Sequence, residues 1–406
     1  MVLNDVCELI VDCEHKTAPT QEFGYPSIRT PNIGRGRFIL DGVNRVSGET
    51  YQLWTRRAVP RPGDLIMARE APVGNVAMIP MGLNPCLGQR TLLIRPDQSK
   101  IDPSFLNYYL NGPVVQAQIQ SKTNGATVAH LNMKDVRSMA LPELPPIPLQ
   151  QRIAGILSTY DELIENSQRR IKILEAMARG LYREWFVHFR FPGHENHPRL
   201  ASALGEIPKG WVVKPLTDAV QVNPRVVVPR EGDKPFVPMG CLSNDTMLIS
   251  DIESRNGNSG TKFQNGDTLF ARITPCLENG KTGFVQFLPD KDAVAFGSTE
   301  FIVLRSVFVT PEFVYCLARS DEFRNIAIKS MSGATGRQRV QEKCFSDLQI
   351  ALAPQVLLDR FSAIVAPGFR LIYRLHLQIQ NLRRTRDLLL PRLLSGQINV
   401  EAAEHV

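Results

Sequence analysis

The feature that most constrains the fold is an apolar rhythm that occurs twice. From 153 to 185, positions that are mostly apolar are spaced alternately by four and three residues. The same spacing returns 208 residues later, from 361 to 393. The seam residues are Ile153, Leu157, Tyr160, Ile164, Ile171, Leu174 and Leu181, then Phe361, Val365, Ile372, Leu375, Ile379, Leu382 and Leu389. A 4,3 rhythm over four heptads is typical of a coiled-coil seam, whereas the apolar stripe of a surface helix is broader. Two such seams most simply pair with each other, although two independent core helices would show the same periodicity.

Shorter blocks repeat at about the same period, which indicates a duplicated unit. The order is kept between "GDLIMARE" (63–70) and "GDTLFARI" (266–273), "FLNYYL" (105–110) and "FVYCLA" (313–318), and "NGAT" (124–127) and "SGAT" (332–335). Short strands that are apolar or alternating and punctuated by Gly and Pro are predicted in each unit. They are "GDLIMA" (63–68), "GNVAMI" (74–79) and "TLLIRP" (91–96) in the first, and "GDTLFA" (266–271), "TGFVQFL" (282–288) and "TEFIVLR" (299–305) in the second. Asp102-Pro103 and Thr310-Pro311 each predict the start of one helix, reaching to about residue 120 and about residue 328.

The predicted architecture is therefore an α+β fold with a pseudo-two-fold internal repeat. Two similar domains are separated by two long helices, each about 50 Å long at roughly 1.5 Å per residue. Pro-rich and polar linkers place the boundaries. We predict a first domain over 1–144, a central helix over 145–190, a linker over 191–210, a second domain over 211–354 and a C-terminal helix over 355–400.

Composition narrows the class of protein. The seven cysteines form no C-x-x-C pair, so we expect neither a disulfide framework nor a zinc site and interpret them as small buried residues. No apolar run approaches the roughly 18 residues that a membrane-spanning helix needs, and the N-terminus lacks the basic region of a signal peptide, so a cytoplasmic protein is expected. Eight arginines against three acids between 29 and 69 are compatible with phosphate contacts, or equally with a solvated basic face.

Motifs for catalysis are incomplete in this sequence. "PCLENGKT" (275–282) has Pro275 where a phosphate-binding loop needs its first glycine, and neither "NPRV" (223–226) nor "NPCL" (84–87) completes an adenine-site tetrapeptide. We therefore expect a binding protein without catalytic residues or a bound metal. Two alternatives stay open, a coiled-coil scaffold that does not read DNA and a self-contained DNA-modifying enzyme.

Three segments resemble one family. "LPPIPLQQRIAGILSTYDELIENSQRRIKILEAMARGLYREWF" (144–186), "LGEIPKGWVVKPLTD" (204–218) and "RTRDLLLPRLLSGQI" (384–398) are similar to the specificity subunit of type I restriction-modification enzymes. The resemblance implies two target-recognition domains alternating with two helices that lie antiparallel, and an asymmetric bipartite DNA site with one half-site for each domain. Gln150-Gln151 departs from the family's Glu-Gln after the Pro-rich hinge.

The same resemblance implies the partners. They are double-stranded DNA, two adenine methyltransferase subunits and two restriction subunits, and no membrane is involved. S-adenosylmethionine, ATP and Mg²⁺ are expected on those subunits and no cofactor on this chain.

Candidate DNA contacts lie in the repeated blocks, which hold cations, hydroxyls and amides of the kind that bind phosphates and base edges. They are Arg69, Lys122, Asn124, Thr127 and His130 in the first repeat, and Arg272, Lys329, Ser332, Thr335, Arg337 and Arg339 in the second. For Arg69 and Arg272 an ion pair inside the domain is the alternative. Contacts made by both repeats favour phosphates, whereas base reading is expected where the repeats differ.

Overall fold

The computed structural model describes residues 1–123, 130–141, 143–334 and 336–398, and the chain divides into two compact units. Unit 1 contains Met1–Leu163 and Asn381–Val406, and unit 2 contains Ile164–Gln380. Both long helices cross from one unit to the other, so the units do not coincide with the predicted domains. The domain boundaries stay predictions.

The helices mix short segments with two very long ones. They are α1 (Gly48–Trp54), α2 (Pro103–Asn111), α3 (Pro113–Thr123), α4 (Met133–Arg137), α5 (Ile147–Tyr182), α6 (Leu216–Ala219), α7 (Pro311–Arg319), α8 (Asp321–Lys329), α9 (Lys343–Ser346) and α10 (Gln355–Leu394). Short 3-10 turns occupy Leu3–Val6, Thr30–Asn32, His194–Asn196 and Met239–Cys241, and a π turn, Arg183–Val187, extends α5. Together with the strands they make a mixed α and β fold, as predicted.

Unit 1 is built on a four-stranded antiparallel sheet. The strands of unit 1 are β1 (Cys7–Asp12), β2 (Tyr25–Ile28), β3 (Arg45–Val46), β4 (Leu65–Ala68), β5 (Val76–Met78), β6 (Cys86–Leu87) and β7 (Thr91–Pro96). The large sheet has the order β1-β7-β4-β5, and β2 lies antiparallel to β3 and parallel to β6 in a smaller sheet. Both faces of β4 are buried, since Leu65 and Met67 pack in one apolar cluster and Ile66 and Ala68 in another.

Unit 2 has the same arrangement with additional strands. They are β8 (Arg199–Ser202), β9 (Gly205–Pro208), β10 (Val212–Pro215), β11 (Val220–Val222), β12 (Asp233–Val237), β13 (Glu253–Asn256), β14 (Thr261–Gln264), β15 (Thr268–Ala271), β16 (Thr282–Phe284), β17 (Val294–Gly297), β18 (Phe301–Ser306) and β19 (Gln349–Leu352). The large sheet has the order β11-β18-β15-β16, which matches unit 1 strand for strand, and the smaller sheet β13-β12-β17-β14 has one strand more. The hairpin β8-β9 and the antiparallel pair β10-β19, whose strands lie far apart in sequence, complete the unit.

Burial along the two long helices follows the predicted seams. Buried positions are Ile153, Leu157, Ile164 and Ile171 on α5 and Phe361, Val365, Ile372, Leu375 and Ile379 on α10, while Tyr160, Leu174, Leu181, Leu382 and Leu389 are half-buried. In unit 1 the end of α10 joins the core, where Leu393 packs in one cluster with Ile153 and Leu157. In unit 2 the Phe361 ring lies 5.1 Å from the Phe186 ring, centroid to centroid.

One helix prediction needs correction. Asp102 caps α2 as expected, since its carboxylate accepts a hydrogen bond from the Phe105 N–H at 2.9 Å. The predicted single helix is nevertheless divided at Gly112, because Pro113 begins a second helix and has no N–H to continue the first. In unit 2 the corresponding break falls at Ser320, whose side chain caps α8.

Cysteine burial partly follows the interpretation. Cys13, Cys86, Cys241 and Cys316 are buried, and the other three are half-buried. Burial raises the pKa of the Cys86 thiol to about 12. Across the residues that the structure describes, no helix is long and apolar enough to cross a membrane.

Candidate nucleic-acid interface

The repeated Gly-Asp pair builds an internal ion pair. Gly63 has a positive φ of 87°, a conformation that favours glycine, at the turn before β4. The Asp64 carboxylate accepts from the Arg61 N–H at 2.9 Å and pairs in a bidentate manner with Arg95 on β7, at 2.9 and 2.7 Å. Asp64 is buried, and hydrogen bonds to that carboxylate raise the pKa of Arg95.

Unit 2 repeats this geometry. Gly266 has a φ of 89°, and Asp267 accepts from the Gln264 N–H at 2.7 Å. The Arg305 guanidinium donates to both Asp267 oxygens, at 2.7 and 2.6 Å. The most strongly repeated motif in the sequence therefore joins adjacent strands and is not exposed for binding.

Arg69, a predicted DNA contact, is buried in unit 1. Its guanidinium pairs with the Asp12 carboxylate and donates through Nε to the Leu131 carbonyl at 2.9 Å. A second nitrogen lies 2.9 Å from His130 Nε2, and burial together with Arg69 lowers the pKa of His130. The His130 ring also contacts Glu70, 3.1 Å from its Nδ1. Arg69 thus has the intradomain ion pair that the sequence left open as its alternative.

Asp12 also belongs to a small group of possible metal ligands. Single ligand atoms of Asp12, Cys13 and His15 lie within 4.8 Å of one another. The Asp12 oxygen that His15 approaches is the one that pairs with Arg69. The geometry therefore supports a polar network that includes Arg69.

Arg272 has the equivalent place in unit 2. It donates to the Glu342 carboxylate at 2.9 Å and to the Val340 carbonyl at 3.1 Å. The predicted contact Arg339 pairs with Glu300, with N–O distances from 2.6 to 3.0 Å, and this pairing holds the pKa of Glu300 below its usual value.

Both arginines also hold the segment that follows the repeated loop. The Leu131 N–H donates to the Arg69 carbonyl at 3.0 Å, and the Val340 N–H donates to the Arg272 carbonyl at 2.9 Å. Arg69 and Arg272 therefore fix where the two loops of the repeat return to the sheet.

The other predicted contacts are placed at or near these loops. Lys122, in the last turn of α3, lies 3.6 Å from Asp135, and Lys329 ends α8 with an exposed side chain. Ser332 and Arg337 are exposed, and Ser332 Oγ accepts from the Gln341 side chain at 2.7 Å. Asn124, Thr127 and Thr335 lie outside the described residues.

The basic segment of unit 1 is divided between internal pairs and free cations. Arg56 pairs with Glu14 at 3.0 Å, and Arg57 donates to the Cys13 carbonyl at 3.1 Å. Within the described part of the chain, the exposed residues Arg29, Arg35 and Arg45 have no carboxylate partner, which leaves their charge available to a ligand.

Two polar networks that sequence reasoning missed, one partly buried in unit 1 and one buried in unit 2, anchor the long helices. In unit 1, Asp161 of α5 accepts from the Tyr108 hydroxyl at 2.7 Å and from the Arg386 guanidinium of α10 at 2.5 Å. In unit 2, Glu175 accepts from the Tyr315 hydroxyl and from the Met247 N–H at 2.9 Å. A charged residue at a seam position, as at Arg386, was the one sequence signal for such a partner.

The departure at Gln150 also has a structural role. Gln150 is buried, its Oε1 accepts from the Asp102 N–H at 2.8 Å, and its Nε2 donates to the Pro145 carbonyl at 2.8 Å. The side chain thus ties the first turn of α5 to the cap of α2.

Comparison with known proteins points to one family. Residues 1–176 match the family model described as "Type I restriction modification DNA specificity domain". The chain is 25% identical over 381 residues to the type I restriction enzyme MjaIX specificity subunit of Methanocaldococcus jannaschii, covering 90% of this chain and 84% of that protein. It is 31% identical over 156 residues to the Escherichia coli EcoEI specificity subunit, although that match spans 37% of this chain and 26% of the relative.

A solved structure shares the fold. The S subunit of a type I restriction-modification system from M. genitalium superposes with a TM-score of 0.59 at 14% identity, and the match covers 97% of this chain and 95% of that one. The similarity extends over both units.

Proposed function

We propose that this chain belongs to the family of type I restriction-modification specificity subunits and is the DNA-recognition subunit of such an enzyme. It is non-catalytic, it reads an asymmetric bipartite site with one half-site for each recognition domain, and it recruits the subunits that carry the chemistry.

The matching sheets of the two units carry this proposal. Strand orders β1-β7-β4-β5 and β11-β18-β15-β16 are equivalent, and in each sheet a buried aspartate pairs with an arginine of the neighbouring central strand. The smaller sheets differ, with three strands in unit 1 and four in unit 2. A common scaffold with different additions suits a protein whose two halves bind the same polymer but read different sequences.

The internal repeat and the coiled coil belong to the same proposal. The 4,3 rhythm and the burial of both seams support two long antiparallel helices between the recognition domains. We place the domains at 1–144 and 211–354 and the helices at 145–190 and 355–400. The helices would then set the spacing between the half-sites.

Because this chain is proposed to be non-catalytic, we expect partners that carry out the catalytic steps. We expect double-stranded DNA, two adenine methyltransferase subunits that use S-adenosylmethionine, and two restriction subunits that use ATP and Mg²⁺. Phosphate contacts are assigned to the loops of the repeat, through Lys122, Lys329, Ser332 and Arg337 among the described residues. Asn124, Thr127 and Thr335 complete the same loops in the sequence.

Methylation mapping of the host genome tests the proposal. Long-read sequencing of the wild type, a strain lacking this gene and a complemented strain should show a split, asymmetric methyladenine motif that disappears on deletion and returns on complementation. An unchanged methylome, in cells that transcribe the methyltransferase gene, contradicts it. Footprinting with the assembled complex adds a direct test, because a scaffold that does not read DNA leaves no bipartite protection.

A further inference from the structure

An open cleft of about 410 Å³ lies on the smaller sheet of unit 1. Three chain segments meet there, 24–26 at the start of β2, 40–45 leading into β3, and 82–84 before β6. The Tyr25 ring stacks on the Tyr51 ring at a centroid distance of 4.0 Å, which supports one wall. The cleft is thus formed by the start of β2, by β3 with the segment before it, and by the segment before β6.

Apolar side chains around this cleft are unusually exposed. Phe23 is 73% exposed, Ile39 52% and Met81 86%, and each directly precedes one of the three lining segments in the chain. Single exposed apolar residues are common on folded proteins, but three around one cleft mark a surface that another molecule covers.

The charge of the cleft indicates what that molecule is. Arg45 is its one lining cation among the described residues, and no carboxylate lines it. Arg45 donates one hydrogen bond, from Nη1 to the Gly24 carbonyl at 2.9 Å, which leaves most of its five N–H groups available. Arg29 and Arg35, in the same basic segment, also lack a carboxylate partner among the described residues. Positive charge beside apolar side chains and the exposed amide of Asn84 suits a nucleic acid, which offers phosphates and base edges together.

The second unit differs at this place, although its strands align. Pro26 of β2 pairs with Arg45 across the ladder, whereas the corresponding Pro235 of β12 pairs with Ser254. The nearby cation of unit 2, Arg255, lies 3.8 Å from the Phe236 ring centroid and is ion-paired with Glu253 at 2.6 Å. Two domains that share a scaffold and read different half-sites must differ in the residues that touch bases, and the arginine of the cleft is such a difference.

We infer that this cleft reads the base edges of the half-site bound by unit 1. Arg45 and Asn84 are the hydrogen-bonding side chains, and Phe23 and Met81 make apolar contacts to the bases. Arginine suits the two acceptors of guanine in the major groove, and asparagine suits the acceptor and donor of adenine. The inference rests on the proposed function and adds to it the residues that determine one half of the recognised sequence.

Substitution of Arg45 by the residue of the other unit is the sharpest test. Arg45→Ser places in β3 the side chain that β13 tolerates at the same ladder position, so folding should be kept. We expect methylation mapping of cells with the R45S subunit to show one half of the motif unchanged and one base of the other half relaxed. Asn84→Ala should relax a neighbouring base of that same half. Arg61→Ala is the matched control, because it removes an exposed cation of unit 1 that does not line the cleft.

Binding measurements separate base reading from a general loss of charge. With the assembled methyltransferase complex, R45S should weaken binding to the cognate duplex roughly 10- to 100-fold, the range for one bidentate base contact. That loss should vanish on a duplex in which the base read by Arg45 is changed, and persist when the other half-site is changed. R61A should weaken all duplexes equally or none.

The outcomes distinguish a failure of the cleft assignment from a failure of the proposed function. An R45S subunit that methylates the wild-type motif, or that weakens every duplex to the same extent, overturns the assignment of the cleft and leaves the proposed function intact. If the wild-type complex itself methylates no bipartite motif, the proposed function fails first.

Discussion

The carboxylate of Asp161 on α5 and the guanidinium of Arg386 on α10 lie 2.5 Å apart, although 225 residues separate them in sequence. The other Asp161 oxygen accepts from Tyr108, and burial together with this bond raises the pKa of that phenol. One carboxylate therefore joins both long helices to α2, the helix that carries Tyr108.

Removing this carboxylate should loosen unit 1. Asp161→Asn leaves half-buried Arg386 with only its pair to Asp387, whose side chain is 61% exposed. Loss of the charge-assisted hydrogen bond to Asp161 costs about 2 kcal/mol. We expect a lower melting temperature by calorimetry and faster amide exchange in α2 and at the end of α10. Glu165→Gln is the control, because its pair with Arg169 at 3.5 Å is exposed and contributes about 0.5 kcal/mol or less. Equal effects of the two variants would contradict the prediction.

The Gly-Asp motif should matter for folding and leave the recognised sequence unchanged. Asp64→Asn removes the partner of Arg95 from a buried pair, for which a loss of about 3–5 kcal/mol is typical. Asp267→Asn should do the same in unit 2. Thermal unfolding measures the loss, and methylation mapping of the surviving protein should show the wild-type motif. A changed motif with unchanged stability would mean that Asp64 acts on DNA.

Substitution of Arg69 distinguishes its two interpretations, an ion pair inside unit 1 and a contact to DNA. If its ion pair with Asp12 is its role, Arg69→Gln should lower the melting temperature and leave both half-sites of the methylation motif intact. Arg56→Gln is a suitable control, since its side chain is 60% exposed. A variant with wild-type stability and weakened, salt-sensitive DNA binding would support the DNA contact instead.

Glu175 should give unit 2 a pH-dependent stability. Burial raises the pKa of Glu175 above its ordinary 4.5, although hydrogen bonds from Tyr315 and the Met247 N–H oppose the rise. Because the folded state holds the proton more tightly, this contribution is full below pH 4.5 and is lost as pH rises through the folded pKa.

Tyr315→Phe tests this coupling. Loss of the hydroxyl removes a donor to the charged form, so the pKa of Glu175 should rise further. The variant should be destabilised more at pH 7 than at pH 4, which urea unfolding at both values would measure. A penalty independent of pH would show that the hydroxyl acts through packing alone. Tyr109→Phe is the comparison, since Tyr109 is buried in unit 1 without a carboxylate partner among the described residues.

Helix length should set the spacer of the DNA site. Deleting one heptad from each of α5 and α10 shortens each helix by about 10 Å, or roughly three base pairs of duplex. We expect the methylation motif to keep both half-sites and to lose about three base pairs between them. Deletion from one helix alone should abolish methylation because the seams no longer align. A spacer that does not change after the paired deletion would contradict the proposal.

Local pattern determined many of the elements of this protein, although not the breaks at Gly112 and Ser320. Short apolar or alternating runs with turn residues predicted β4, β5, β7 and their counterparts. The 4,3 rhythm predicted positions of α5 and α10 that are buried or half-buried, because periodicity records which side of a helix faces away from water. The three similar segments also showed the resemblance to type I specificity subunits before any geometry was known.

Tertiary structure alone decided the use of each charged side chain. Arg69 and Arg45 belong to the same basic segment, yet Arg69 lies in a buried ion pair and Arg45 lines an open cleft. The sequence could not separate them, since a partner such as Asp12, or Arg386 for Asp161, is brought near by chain topology and has no fixed spacing. Burial then makes such a pair obligatory, because an unpaired charge away from water is costly.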